Sequence, residues 1–266
     1  MPQKPPELEI EQRHLNGREL FLADSGGDGV PLLLIHGLPG RPQDFRWMVP
    51  RLDPLRVILP AMPGLGLTPL STAPSPDIAQ RVRFLLDVID ALQLGPVIVG
   101  GHSLGGALAI HLAQALGDRA RGLVLISSVG LSPHRGFRRL RPRMTASLLA
   151  SPLRPALTPV MRVAFRAAGF PRNIATAALR HTVRCAAETD FSKLAQDLAS
   201  LRLPTLIASA SDDPLIEPAI PAALSAAAPP GPRLCFATGG HGIVKTRSAE
   251  ISDAIQGWIA QEGLQD

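Results

Sequence analysis

Tyrosine is missing from this chain, and aromatic residues make up only 4% of its 266 positions. That leaves no stacking platform for bases, so the net charge of +5 does not by itself argue for nucleic acid. Cysteine is scarce as well. Cys185 and Cys235 are too few for a disulfide framework and show no metal-ligand spacing. Both are expected to be small buried residues. No run of 18 or more apolar residues occurs, which argues against a spanning helix. Residues 1–6 are polar and proline-rich with no apolar stretch behind them, so no signal peptide is expected and the chain is predicted to be cytoplasmic. The last shortage is of acid: from Arg119 to Ala187 there is neither Asp nor Glu.

Arginine, by contrast, is plentiful and unevenly placed. It supplies 24 of the 27 basic residues, and 11 arginines fall between Arg135 and Arg184. A hydrophobic fraction of 45% is ordinary for a globular chain, and 266 residues suffice for one large core.

Hydrophobic periodicity orders the chain. Residues 8–15 and 18–22 read as a hairpin around Asn16-Gly17, a pair suited to a type I′ turn. Short apolar runs at 30–35, 56–60, 97–99, 122–127, 203–209 and 233–237 read as buried strands. Helical periods follow at 77–93, 107–116, 191–201, 217–227 and 246–261. Strands that alternate with helices predict an α/β fold with a doubly wound, mostly parallel sheet. The basic, proline-punctuated stretch 133–189 interrupts that alternation. It divides the chain into a core over 1–132, a helical insertion over 133–189, and a second part of the core over 190–266.

The most informative segment is Gly101-His-Ser-Leu-Gly105, set between a β-branched run and a helix. A serine at so tight a strand-to-helix turn is forced into a strained backbone, and flanking side chains would clash, so glycine stands on both sides. The helix that starts there aims free N–H groups and its positive dipole end at the serine oxygen. Serine is a poor nucleophile at neutral pH and needs a base, and the base needs an orienting acid. His241, flanked by Gly240 and Gly242 after a strand, is the candidate base. Asp213, in a turn fixed by Pro214 after another strand, is the candidate acid, with Asp212 the alternative. His36, Ser103, Asp213 and His241 all follow predicted strands, which puts them at one sheet edge.

These motifs, together with His36-Gly-Leu-Pro-Gly40 and Pro63-Gly-Leu-Gly66, resemble the α/β-hydrolase group of esterases, lipases and C–C bond hydrolases over roughly 10–132 and 190–262. The resemblance implies that Ser103 attacks a carbonyl, His241 moves the proton, and Asp213 orients the imidazole. It also implies an oxyanion hole from the backbone N–H groups of Leu38 and Leu104, with His36 and Gly37 supporting that loop. No cofactor or metal is implied. His102 is expected to pack or hydrogen-bond, and His14, His111, His134 and His181 to be surface or core residues. Ala61 and Ala210 depart from the family, which often has aspartate and glycine there. Dehalogenases and epoxide hydrolases carry an elbow aspartate, and the latter add cap tyrosines; this chain has serine and no tyrosine.

The insertion sits where the family places a cap. Leu148, Leu149, Leu153, Leu157, Met161, Phe165 and Phe170 are candidates to line a substrate pocket. Its arginines form a solvated face, attract an anionic membrane surface weakly, or bind a carboxylate or phosphate on the substrate. The expected activity is hydrolysis of small to medium apolar carboxylic esters through an acyl-enzyme. Cleavage of a C–C bond in a ring-cleavage diketone, or a non-catalytic accessory role on the same fold, are the alternatives.

Overall fold

The computed structural model describes residues 6–15, 17–72, 75–152, 154–167 and 175–265. Asn16, Leu153, Phe170 and Arg172 lie outside these. Eight strands form one sheet: β1 (Glu11–Leu15), β2 (Arg18–Asp24), β3 (Pro31–Ile35), β4 (Arg56–Pro60), β5 (Val97–His102), β6 (Ala120–Ile126), β7 (Thr205–Ala210) and β8 (Arg233–Phe236). Their spatial order is β1-β2-β4-β3-β5-β6-β7-β8. β1 and β2 form the expected hairpin, with Leu15 opposite Arg18, and β2 pairs antiparallel with β4. Every other neighbouring pair is parallel.

The apolar runs are continuous because the central strands are buried on both faces. In β3, Leu33 and Ile35 enter one core while Leu32 and Leu34 enter the other. Ile207 and its neighbours Leu206 and Ala208 divide the same way in β7. The first face is covered by helices α1 (Ile78–Ala91) and α2 (Leu104–Leu116), and by the later helix at Phe191–Ser200. The second is covered by the short turns at Pro42–Phe45 and Val49–Arg51 and by the helix Ser248–Gln261, whose Trp258 is fully enclosed.

Four helices fill the insertion between β6 and the next core helix: α3 (Arg135–Leu140), α4 (Pro142–Ala150), α5 (Arg154–Ala167) and α6 (Thr176–Ala187). The remaining core helices are α7 (Phe191–Ser200), α8 (Ala219–Ala227), α9 (Ile243–Thr246) and α10 (Ser248–Gln261). Proline limits the insertion less than its frequency suggests. Pro142 occupies the first turn of α4, where a missing N–H costs nothing, although Pro159 does sit inside α5. The insertion has its own small core of Leu149, Phe165, Leu179 and Val183.

Two buried polar contacts tie helices together. His111 Nδ1 of α2 donates to Asp197 Oδ2 of α7 at 2.6 Å, and Lys193 pairs with the other carboxylate oxygen. Arg81 of α1 is buried and donates to the carbonyl of Cys185 at 3.3 Å, within the last turn of α6. Carbonyls there lack helical partners and carry the negative end of the dipole, so a cation suits them. Cys185 is buried as expected, but Cys235 is exposed. The reason is its strand: β8 is at the sheet edge and alternates between exposed and half-buried positions, and Cys235 falls on an exposed one.

Helix α2 lies very close to β3 and β5. A Cβ on Gly105 would stand 2.1 Å from the Ile35 carbonyl oxygen, and one on Gly101 would stand 2.3 Å from the Gly105 carbonyl. Backbone cannot swing aside as a side chain can. Gly105→Ala is therefore expected to lower the unfolding free energy by about 3 kcal/mol or more, as an overpacked core does, and urea denaturation measures it.

Candidate active site

Ser103 stands between β5 and α2 with φ +56° and ψ −122°, a conformation that costs a non-glycine residue about 1–3 kcal/mol. Three backbone bonds hold it there. Its N–H donates to Ile126 O at 3.0 Å, and its carbonyl accepts from Gly106 N at 3.0 Å and Val129 N at 3.1 Å. Leu104 opens α2, so its N–H belongs to the first turn, which has no acceptor inside the helix.

Asp213 follows β7 by three residues and is buried. One carboxylate oxygen accepts from Leu215 N at 2.8 Å and Ile216 N at 3.0 Å, and the other accepts from His241 Nδ1 at 2.7 Å. Burial alone would raise this carboxyl. The His241 hydrogen bond and charge, with the two backbone N–H groups, outweigh it and hold Asp213 below its ordinary 3.8. Asp212 faces the other way. It is exposed and accepts from Gly239 N at 3.1 Å and Gly240 N at 2.7 Å, which fastens the turn that carries His241.

The other histidines near this edge are fixed and neutral. Met62 N donates to His36 Nε2 at 3.0 Å, so the proton is on Nδ1, which donates to Gly37 O at 2.9 Å. His36 is buried, and burial lowers its pKa. The loop of Gly37 and Leu38 is thus tied to the end of β4. His102 Nε2 donates to the His241 carbonyl at 2.8 Å, and the two rings lie 4.8 Å apart. Burial first, and then the charge on His241, push His102 down to about 3, so it is not a second base at neutral pH.

Ser103, Leu104, Leu38, Gly37 and His241 line one cavity of about 340 Å³. Phe137, Leu140, Pro142 and Phe165 from the insertion supply apolar wall. Of the seven residues expected to line a pocket, Phe165 does so. Leu149 packs in the insertion's own core with Met161 against it, and Leu148 is exposed. The lining from α6, namely Thr182, Val183 and Ala186, followed by Thr189, was not foreseen, nor was Asp44. No motif marks these residues; those of α6 and Thr189 depend on how the insertion folds back, while Asp44 comes from the Pro42–Phe45 turn after β3.

The insertion is fastened to the turn that bears Asp213. His134 Nδ1 donates to Leu215 O at 3.0 Å, and Gly136 N donates to the same oxygen at 2.9 Å. Glu217 accepts from Arg135 N at 2.6 Å and pairs with Arg138. Burial would raise the Glu217 carboxyl, but these donors bring it down to about 2.

A carboxyl lowered in the folded state adds stability above its unfolded value and loses it as pH falls through the folded one. Replacing Asp213 by Asn removes that contribution. The unfolding free energy of Asp213→Asn should therefore fall less steeply than wild type below about pH 4, in urea titrations at stepped pH.

The family model described as the alpha/beta hydrolase family matches residues 32–254. A 2-hydroxy-6-oxo-2,4-heptadienoate hydrolase of Pseudomonas putida is 38% identical over 120 residues, which is 44% of this chain and 43% of that protein. A lipase of Psychrobacter immobilis is 35% identical over 129 residues, 47% of this chain and 40% of that one. The chain thus spans less than half the length of these two relatives. A thermophilic esterase from Thermogutta terrifontis superposes with a TM-score of 0.74 at 21% identity, covering 96% of this chain and 99% of its own, which shows the shared fold. With its eight-stranded sheet and a family match across most of its length, this chain belongs to the alpha/beta hydrolase family.

Proposed function

We propose that this protein is a serine hydrolase that cleaves small to medium, uncharged carboxylic esters through a covalent acyl-enzyme. One observation carries the reading. His241, held by Asp213 at 2.7 Å, lines one cavity with a serine held at positive φ. Ser103 Oγ attacks the ester carbonyl while His241 Nε2 takes its proton. The oxyanion is met by the N–H groups of Leu104 and Leu38, each such donor being worth about 3–4 kcal/mol in the transition state. His241 then protonates the departing alkoxide. Water attacks the acyl-enzyme, gives its proton to His241, and Ser103 leaves with that proton. Asp213 holds Nδ1–H throughout and stabilises the imidazolium. None of these steps calls for a cofactor. Helices α3–α6 act as a cap that excludes water and shapes the substrate space.

A cavity of about 340 Å³ lies at the small end of ligand pockets, about 300–1,000 Å³, and suits a short ester. The similarity to the Pseudomonas putida hydrolase favours a second reading, cleavage of a C–C bond by the same triad. That relative's name denotes a carboxylate-bearing dienoate. Here the lining contains the Asp44 carboxylate and, among the described residues, neither lysine nor arginine, so an anion would enter without a counter-charge. The neutral ester is therefore preferred.

The outer face of the insertion suits an anionic lipid surface. Met144 and Leu148 are 51% and 40% exposed on α4, and Val160 and Val163 are 63% and 64% exposed on α5. Exposed Arg139, Arg141 and Arg143 lie at the start of α4 and just before it. Apolar side chains beside cations match the interface of such a membrane.

Two measurements test these readings. Ser103→Ala is expected to abolish p-nitrophenyl ester hydrolysis and fluorophosphonate labelling while the melting temperature holds; turnover that survives the substitution removes the hydrolase reading. Wild-type protein should sediment with phosphatidylglycerol vesicles at low salt and be released near 1 M salt, where the screening length is about 3 Å. If it stays in the supernatant at low salt, the lipid surface is not its partner.

A further inference from the structure

A second cavity, of about 190 Å³, opens between α8 and the sheet edge formed by β7 and β8. In β7, Leu206, Ala208 and Ala210 belong to the core under α10, so Ser209 points the other way, toward α8. β8 runs parallel to β7 and pairs Cys235 with Ser209, and both residues line the cavity. Neighbouring strands stand about 4.8 Å apart, so the serine and the thiol are side by side. Ser211, just past β7, brings its hydroxyl to 3.6 Å from Cys235 Sγ, and Ser225 of α8 lines the opposite wall.

Ser209 is only 9% exposed, at a strand position where a β-branched apolar side chain would pack well. Its hydroxyl bonds to no protein group among the described residues, yet it is not one of the buried atoms sealed from water, as Ser127 Oγ is. The hydroxyl is therefore open to the cavity that its side chain lines. Ser225 is half-buried and in the same state. Two O–H donors are thus left for whatever enters. Arg233 adds a positive charge to the wall, although its own donors are taken by the carbonyls of Thr205, Gly231 and Pro229. No carboxylate lines the cavity among the described residues.

We propose that this cavity is a covalent binding site for a small α,β-unsaturated carbonyl compound, with Cys235 as the nucleophile and Ser209 and Ser225 as donors to the carbonyl oxygen. Cys235 is exposed, and its soft, polarizable sulfur suits the β-carbon of such a molecule. The S–C bond forms at that carbon while the C=C π pair moves toward the oxygen as an enolate. The proton lost by the thiol returns, through water, at the α-carbon. Nothing leaves, and no oxidant is needed. Negative charge develops on the oxygen during the addition, where preplaced hydroxyl donors and a nearby guanidinium stabilise it. A plain disulfide exchange would leave those donors without an acceptor. The cavity shares no lining residue with the one around Ser103, so the proposal is independent of the hydrolase reading.

But-3-en-2-one serves as the probe. Methyl methanethiosulfonate, which thiolates sulfur without forming an enolate, serves as the reference. Both react with the thiolate, so the ratio of their rates largely cancels differences in ionisation. That ratio is measured at the Cys235 peptide by mass spectrometry and compared with N-acetylcysteine under the same conditions. Cys235 should exceed the free thiol by about tenfold, the worth of one or two ordinary hydrogen bonds. Ser209→Ala and Ser225→Ala should each reduce the ratio several-fold, and the double variant should bring it to the free-thiol value. The reference rate and the melting temperature should hold in all three, since no internal partner is lost. A ratio equal to that of the free thiol, a ratio that the alanine variants leave unchanged, or a clear fall in their melting temperature overturns the proposal. Fluorophosphonate labelling of Ser103 should be the same in every variant.

Discussion

Helix α2 can begin where it does only because Gly101 and Gly105 have no Cβ. Their backbones pass within a distance of each other, and of the Ile35 carbonyl, that a methyl group would fill. That approach bends the chain at Ser103 into positive φ, and the bonds to Ile126, Gly106 and Val129 keep it there. It also brings the start of α2 beside the loop that follows β3, so Leu104 and Leu38 border the same space. The strain is local, while its support comes from two neighbouring strands buried on both faces. A site of this kind needs the rigid sheet beneath it.

The turn after β7 supports more than one part of the site. Asp213 orients His241 and also accepts from Leu215 and Ile216. The Leu215 carbonyl and Glu217, on the far side of that turn, hold the first turn of the insertion. Asp212 ties the same segment to the loop that carries His241. The proposed base, its acid and the proposed cap therefore share one short anchor. A disturbance at 212–217 would reach all three, and this coupling is tighter than the sequence separation of these elements suggests.

Charge is sorted by location. None of the insertion's described arginines lines the cavity, and Arg138, Arg139, Arg141 and Arg143 are exposed. The wall that the insertion gives the cavity is apolar at Phe137, Leu140, Pro142 and Phe165.

The sequence by itself determined the sheet, its strand sequence and the residues at its carboxyl edge. Burial on both faces makes the parallel strands read as apolar runs, and Ser103, Asp213 and His241 stand in short turns directly after such runs. Local pattern is enough there, because a strand end fixes where the next few residues lie. It was not enough for Cys235, whose exposure follows from the edge position of β8, or for Arg81, whose burial depends on the end of α6 arriving beside α1. It put Asp213 ahead of Asp212 as the acid but left the second open; the fold buries Asp213 against the imidazole and leaves Asp212 exposed on the N–H groups of Gly239 and Gly240. The cavity was least legible. Its lining comes from segments spread between Gly37 and Gly242, and the faces that α3 to α6 turn inward were decided by their packing against one another and against the Asp213 turn. Thr182 and Thr189 look like ordinary helix and turn residues in the sequence; only the closed fold buries their hydroxyls without a partner and brings the two residues to the cavity wall.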